Sequence, residues 1–382
     1  MKSARTRIAF ATTIPGTIRA FMLPHLVELV KKYDIILYSN FQVDPAEDLR
    51  ALFESLPIRI VHVPFERKIR PFADLKSWWA LFRNLRRDQP TILHSMMPKT
   101  GLIATTAGLI AQIPVRIHMF TGQVWASQQG WKRLLLKSLD RLTAWSATHV
   151  LADSSSQRDY LIENGFPDRI TVLGAGSVSG VDLNRFRHDP VMRMQVRTAY
   201  SIGENDVVFG FLGRLNRDKG VADLLSAFES AHLPRSCRLM LVGPDEENFS
   251  QLLDQIREPA KSRIHMCGQT DRPQDYLTAF DVYCLPSYRE GFGTSVIEAA
   301  ACGVPALVSR IYGLTDAVSE NETGLCHQAG NVTDIANGLW QFVNDIELRC
   351  KLGYAARRRV EKQYSQSILV ARMADFYKKI EI

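Results

Sequence analysis

The feature that most restricts the fold is an alternation that runs from about residue 7 to 164 and starts again near 207. Apolar, strand-like runs at 7–11, 35–39, 59–63, 91–94, 115–119 and 149–152 alternate with helical periodicity near 16–30, 74–87, 100–112, 131–146 and 155–164. Strand-like runs return at 207–213, 238–242, 263–267, 281–285 and 305–309. Alternating strands and helices predict parallel sheets covered on both faces. Two such rhythms in 382 residues predict two doubly wound α/β domains, with ligands held at the carboxyl ends of their strands.

One strand-to-helix passage carries the chemistry. The apolar run from Asp281 to Leu285 meets Pro286 and a glycine-containing loop, and the residues from Thr294 to Cys302 then read as a helix closed by Gly303. A helix beginning there aims the amides of Gly293, Thr294, Ser295 and Val296 at the crevice above the sheet, where its dipole favours an anion. Glu290 and Glu298 flank this point. Carboxylates repel phosphate, so their fitting task is to accept hydrogen bonds from hydroxyls beside it, from a ribose and from a hexose.

Glu290 and Glu298 lie within Pro-Ser-x-x-Glu-Gly-Phe-Gly followed by Glu-Ala-x-Ala-x-Gly-x-Pro. This pattern resembles the signature of the family 4 (group 1) retaining glycosyltransferases, among them bacterial enzymes that build polysaccharides and lipid-linked oligosaccharides. The resemblance implies the GT-B fold, two Rossmann-like domains facing an interdomain cleft. It places an acceptor-binding domain at 1–185, a nucleotide-sugar domain at 186–363 and a terminal helix at 364–382 that crosses back. The Gly-Ser-rich stretch from Gly174 to Phe186 reads as the passage between the domains.

Gly213-Arg-Leu-Asn-Arg-Asp-Lys-Gly220 follows a strand-like run and precedes a helical one that Asp218 is placed to cap. Two cations beside a helix start call for an anion. The match to the family's Gly-Arg-Leu-x-x-x-Lys-Gly implies that Arg214 and Lys219 neutralise a diphosphate leaving group, while Arg217 reads as solvated. Glu298 would then hold the ribose and Glu290 the donor sugar. Gly16, in Ala11-Thr-Thr-Ile-Pro-Gly-Thr, is either a plain turn, with Thr17 as cap, or part of a loop touching the donor. His118 ends a strand-like run, and relatives often place a histidine there near the donor sugar; by itself it reads as structural. His25, His62, His94 and His149 read as structural too. Lys99 is a candidate for an acceptor phosphate.

The function implied is transfer of a hexose or N-acetylhexosamine from a nucleotide diphosphate sugar, with UDP the favoured nucleotide, to a lipid-linked acceptor. No metal or other cofactor is implied, because protein cations meet the diphosphate. Two other readings share the architecture: a nucleotide-sugar epimerase and a non-catalytic nucleotide-sugar-binding protein.

Charge points to the partner. The net charge is +7, yet residues 1–190 hold 25 Lys and Arg against 16 Asp and Glu, and the remainder is slightly acidic. The first half therefore meets something acidic. Without a nucleic-acid module, a membrane surface or phosphorylated acceptor is favoured over DNA or RNA. The segment from Arg67 to Arg87 interleaves cations with aromatic residues, and Leu75, Trp78, Trp79 and Phe82 form one helical stripe. That stripe either faces the core or dips among lipid headgroups.

The six cysteines have neither zinc nor redox spacing and read as reduced thiols of a cytoplasmic protein. Lys2, Arg5 and Arg7 precede an apolar run too short for a signal peptide. The uncharged run 100–115 falls short of the roughly 20 residues that span a bilayer. The expectation is a cytoplasmic protein, peripheral on the inner face of the membrane.

Overall fold

The computed structural model describes residues 5–43 and 46–381. Lys2 and Ile382 lie outside the described residues. The chain divides into two units, one of residues 1–179 with 366–382 and one of residues 180–365. The first passage between them falls at 179/180. The reason is local: the Val181 N–H donates to the Tyr364 carbonyl at 2.8 Å, and Arg185 reaches Gln274 at 3.0 Å, so this segment is already tied into the second unit.

The first unit holds a 7-stranded parallel sheet of β1 (Arg7–Ala11), β2 (Asp34–Ser39), β3 (Ile58–His62), β4 (Ile92–Met96), β5 (Val115–Phe120), β6 (His149–Ala152) and β7 (Ile170–Val172). Their order is β3-β2-β1-β4-β5-β6-β7. Ile8, Phe10, Ile35, Leu37 and Ile117 project from one face into a core completed by Met373 and Tyr377 of the helix Gln366–Ile380. The buried Tyr377 hydroxyl lies 2.5 Å from His94 Nδ1, which fixes that helix to the sheet. Where one helix was expected at 16–30 there are two, Pro15–Phe21 and Leu23–Leu29, because Pro24 has no N–H with which to continue the ladder.

The second unit holds a 6-stranded sheet of β8 (Val207–Leu212), β9 (Cys237–Val242), β10 (Ile264–Gly268), β11 (Val282–Leu285), β12 (Ala306–Ser309) and β13 (Gly324–His327), ordered β10-β9-β8-β11-β12-β13. All its pairings are parallel. The apolar runs read from sequence become buried strands because helices cover both faces.

Candidate functional site

In the second sheet the strand order reverses between β8 and β11, so the loops leaving these two strands diverge and leave room for a ligand. The two loops are locked together at their far ends. Gly220 has φ 68°, and a Cβ there would stand 2.0 Å from the Pro286 carbonyl oxygen. The Tyr288 N–H donates to the Asp218 carbonyl at 2.8 Å, and Arg289 Nη2 donates to the Asp218 carboxylate at 2.8 Å. Asp218 is thus the clasp between the loops and not the cap of the helix Val221–Ser230, which starts from Gly220 without a side-chain cap. Asn216 caps the preceding turn, accepting from the Lys219 N–H at 3.3 Å.

Lys219 Nζ lies 2.5 Å from Glu290 Oε1, and Ser287 Oγ donates to the same oxygen at 2.8 Å. The pair is mostly shielded, with side-chain exposures of 21% and 12%, so the attraction is stronger than between two solvated groups. Arg214 is not drawn into this pair. Its Nη1 sits 3.0 Å from Glu246 Oε2 in the loop after β9, and Asn216 Nδ2 donates to the same oxygen at 3.0 Å. The acidic loop after Pro244 supplies a counter-ion that the sequence reading had not placed. Arg217 is almost fully exposed beside Glu247, as a solvated charge should be.

The helix Thr294–Ala301 starts from Gly293 at φ 85°. The Val296 N–H turns back onto the Gly293 carbonyl at 2.9 Å, which reduces the expected four open amides to three. Those of Gly293, Thr294 and Ser295 find no acceptor among the described residues. The buried Tyr283 hydroxyl lies 2.7 Å from Ser295 Oγ and 3.0 Å from the Leu212 carbonyl oxygen. Ser295 therefore offers its amide, while its hydroxyl pins the helix start to β8 and β11. The Glu298 carboxylate, one turn in, accepts no hydrogen bond among the described residues. Burial pushes its carboxyl up to about 7, and the charge of Arg185 opposes this weakly.

The first-unit candidates are rearranged. Gly16 is the second residue of the helix Pro15–Phe21, so the chain turns before it, and Thr17 lies inside the helix and caps nothing. A Cβ on Gly16 would meet protein atoms no closer than 3.9 Å. His118 does not end its strand, because β5 continues to Phe120 and seals the ring completely. Its Nδ1 lies 3.0 Å from Ser95 Oγ, and the ring fills the space a Cβ on Gly101 would take, at 2.1 Å. Burial lowers its pKa to about 3, so the imidazole is neutral, and its Nε2 has no hydrogen-bond partner among the described residues. Lys99 is already engaged: its ammonium meets the Asp74 carboxylate and donates to the Lys68 carbonyl at 2.5 Å.

Comparison with known proteins settles the family. The description of group 1 glycosyl transferases matches residues 193–359, and that of glycosyl transferase 4-like domains matches 31–176. The capsular polysaccharide biosynthesis glycosyltransferase CapM of Staphylococcus aureus is 30% identical over 323 residues, covering 83% of this chain and 84% of that protein. The chain belongs to the group 1 glycosyltransferases. This glycosyltransferase is also similar to the N,N'-diacetylbacillosaminyl-diphospho-undecaprenol alpha-1,3-N-acetylgalactosaminyltransferase of Campylobacter jejuni. The two are 25% identical over 386 residues, with 98% of this chain and 99% of the relative covered. Its fold is that of the solved structure of Anabaena Alr3699/HepE in complex with UDP-glucose, at a TM-score of 0.79 and 18% identity over 98% of this chain and 100% of that one. Two parallel α/β units with these neighbours make it a GT-B enzyme.

Three groups in the glycosyltransferase escaped the sequence reading: Tyr283, Ser287 and Glu246. Tyr283 had a visible signal, a tyrosine in the middle of an otherwise apolar strand, whose hydroxyl must find a partner when buried. Ser287 stands in the Pro-Ser-x-x-Glu motif three residues before Glu290, whereas Glu246 had no signal, since a glutamate in a loop matches solvent equally well.

Proposed function

We propose that the enzyme transfers a hexose or N-acetylhexosamine from a UDP-sugar to a lipid-linked saccharide, with retention of anomeric configuration, at the inner face of a membrane. The observation that carries this reading is the contact between Lys219 and Glu290 beside the open amides of Gly293, Thr294 and Ser295. In a nucleotide sugar a single oxygen joins the sugar to the β-phosphate. A group that holds the sugar and a cation that meets the phosphate must therefore be neighbours, as Glu290 and Lys219 are. The Glu290 carboxylate and a phosphate oxygen would share the Lys219 ammonium.

When the sugar–phosphate bond breaks, negative charge accumulates on the departing diphosphate. Lys219 and the three amides are fixed before the reaction, so they stabilise that charge without reorganising. Arg214 joins them on leaving Glu246, an exchange between exposed groups that costs little. Glu298, with both carboxylate oxygens open, accepts from the ribose diol. The lipid-linked acceptor is supported by the Campylobacter relative, whose name specifies a diphospho-undecaprenol acceptor, and the UDP donor by the HepE complex with UDP-glucose.

The test is incubation of the purified protein with UDP-sugars and an undecaprenyl diphosphate-linked saccharide. The reading expects UDP release and a lengthened saccharide of retained configuration by NMR. Conversion of donor alone to its epimer, or an inverted product, would overturn it.

A further inference from the structure

We propose that the outer faces of two helices in the first unit, Pro71–Asp88 and Gly130–Ser146, form one docking surface for an anionic lipid bilayer. Both lie in one layer with the helix Pro98–Ile110 between them. Trp78 Nε1 donates to Thr106 Oγ1 at 3.0 Å on one side, and Thr105 Oγ1 lies 3.2 Å from Ser146 Oγ on the other. Each outer helix buries its own inner face, through Ser77, Leu81 and Leu85 in the first and through Thr143 and Ala144 in the second.

The outward faces are apolar where a solvated helix would be polar. Phe72 is 92% exposed, Trp131 70% and Trp145 68%, and Trp79 and Leu134 are more than half exposed. These residues recur at helical spacing, so each helix presents an unburied stripe of rings. The stripe at Leu75, Trp78, Trp79 and Phe82 is accordingly divided: Trp78 and Phe82 pack against the core that Leu81 and Leu85 enter, and Leu75 and Trp79 face outward.

Charge selects the occupant. The exposed faces carry Lys76, Arg83, Arg86, Lys132 and Arg141, while the acids of the two helices are turned to partners: Asp74 to Lys99, Asp88 to Tyr38, Arg59 and Arg87, and Asp140 to Trp125. Two copies of this chain meeting through that face would oppose cation to cation. A bilayer of anionic lipid takes the rings among its headgroups and pairs the cations with its phosphates. This deepens the proposed reading and rests on it only for why a bilayer matters, since a lipid-linked acceptor must be reached there. Binding itself is measured without turnover.

The experiment is flotation of the whole protein with vesicles of phosphatidylcholine alone and of phosphatidylcholine with phosphatidylglycerol. Binding is expected to the anionic vesicles and to fall with salt as the Debye length shortens from about 10 Å at 0.1 M to about 3 Å at 1 M. Changing Lys76, Arg83, Arg86 and Lys132 to Gln should weaken it about fivefold per cation, and Trp131→Ser with Trp145→Ser should abolish stable binding. All these side chains are exposed, and stabilisation by a UDP-sugar in thermal unfolding checks that each variant keeps a working second unit. Binding equal on both vesicle types, or unmoved by both variants, would overturn the inference. So would a dimer in sedimentation that the Trp131 and Trp145 changes dissociate, because the face would then belong to a second copy. Vesicle binding by a protein that takes no UDP-sugar would sink the proposed function and leave this surface standing.

Discussion

Replacing Glu298 with glutamine should raise stability and lower donor affinity at the same pH. Burial lifts the Glu298 carboxyl from its ordinary 4.5 to about 7. A group with a raised folded pKa contributes stability that is complete below the unfolded value and is lost as pH climbs through the folded one. Above pH 7 the ionised carboxylate therefore costs the fold up to about 3 kcal/mol, at about 1.4 kcal/mol per pH unit, and less where water reaches its open side. Glu298→Gln carries no such charge. Urea unfolding should show it about 2–3 kcal/mol more stable than wild type at pH 8 but within about 1 kcal/mol at pH 5. Donor binding should move the other way, because the ribose diol needs the ionised acceptor. Wild-type affinity for a UDP-sugar, whose diphosphate does not titrate in this range, should fall about tenfold from its plateau by pH 6. The glutamine variant should be flat with pH and at least about tenfold weaker at pH 8, since a charge-assisted hydrogen bond contributes about 1.5–3 kcal/mol. Calorimetry showing equal affinity of the two proteins at pH 8, or a wild-type affinity indifferent to pH, would remove Glu298 from the site.

Gly220→Ala should cost more than about 1 kcal/mol in urea unfolding and weaken UDP-sugar binding, because a Cβ would collide with the Pro286 carbonyl oxygen at a left-handed φ. An alanine variant of wild-type stability would refute the locked-loop description. Acid should destabilise the first unit through His25, His94 and His118, which burial holds near 4, 3 and 3. Their depressed folded pKa values mean that the unfolded chain binds more protons as pH falls below 6.5, at about 2 kcal/mol lost per histidine by pH 5. His94→Asn should shrink that acid loss by its share; an unchanged pH slope would count against it. Arg214→Lys should lower kcat about tenfold or more, because an ammonium cannot span two phosphate oxygens as a guanidinium does. An unaltered rate would leave Arg214 paired with Glu246 throughout the reaction.

The parallel sheets were legible because buried strands between helices leave continuous apolar runs, and β1 and β6 have the bounds their runs predict. Short or chemically mixed strands were not. Ile170–Val172 has three residues, and Gly324-Leu-Cys-His327 begins with a helix-breaking and strand-weakening glycine. Motif spacing singled out Glu290 and Lys219, which the structure brings into contact, but that Arg214 rests on Glu246 depends on a loop from a neighbouring strand, which no local pattern encodes. The burial of His118 was hidden for a related reason. One further pleat of β5 turns a strand-end side chain into a sealed one, and strand ends are set by tertiary pairing with β4 and β6. The Trp79 stripe was ambiguous because helical periodicity shows that a face is apolar without showing which face the sheet covers.

The central claim is that fixed protein charge at Lys219 and the Gly293–Ser295 amides meets the departing diphosphate. The direct measurement is steady-state glycosyl transfer by Lys219→Ala beside wild type, with and without EDTA. If Lys219 acts mainly in the transition state, kcat falls by about 10²–10³ while KM changes less, and EDTA leaves the wild-type rate unaltered. A variant with raised KM and intact kcat, or a wild-type enzyme silenced by EDTA, would contradict the account.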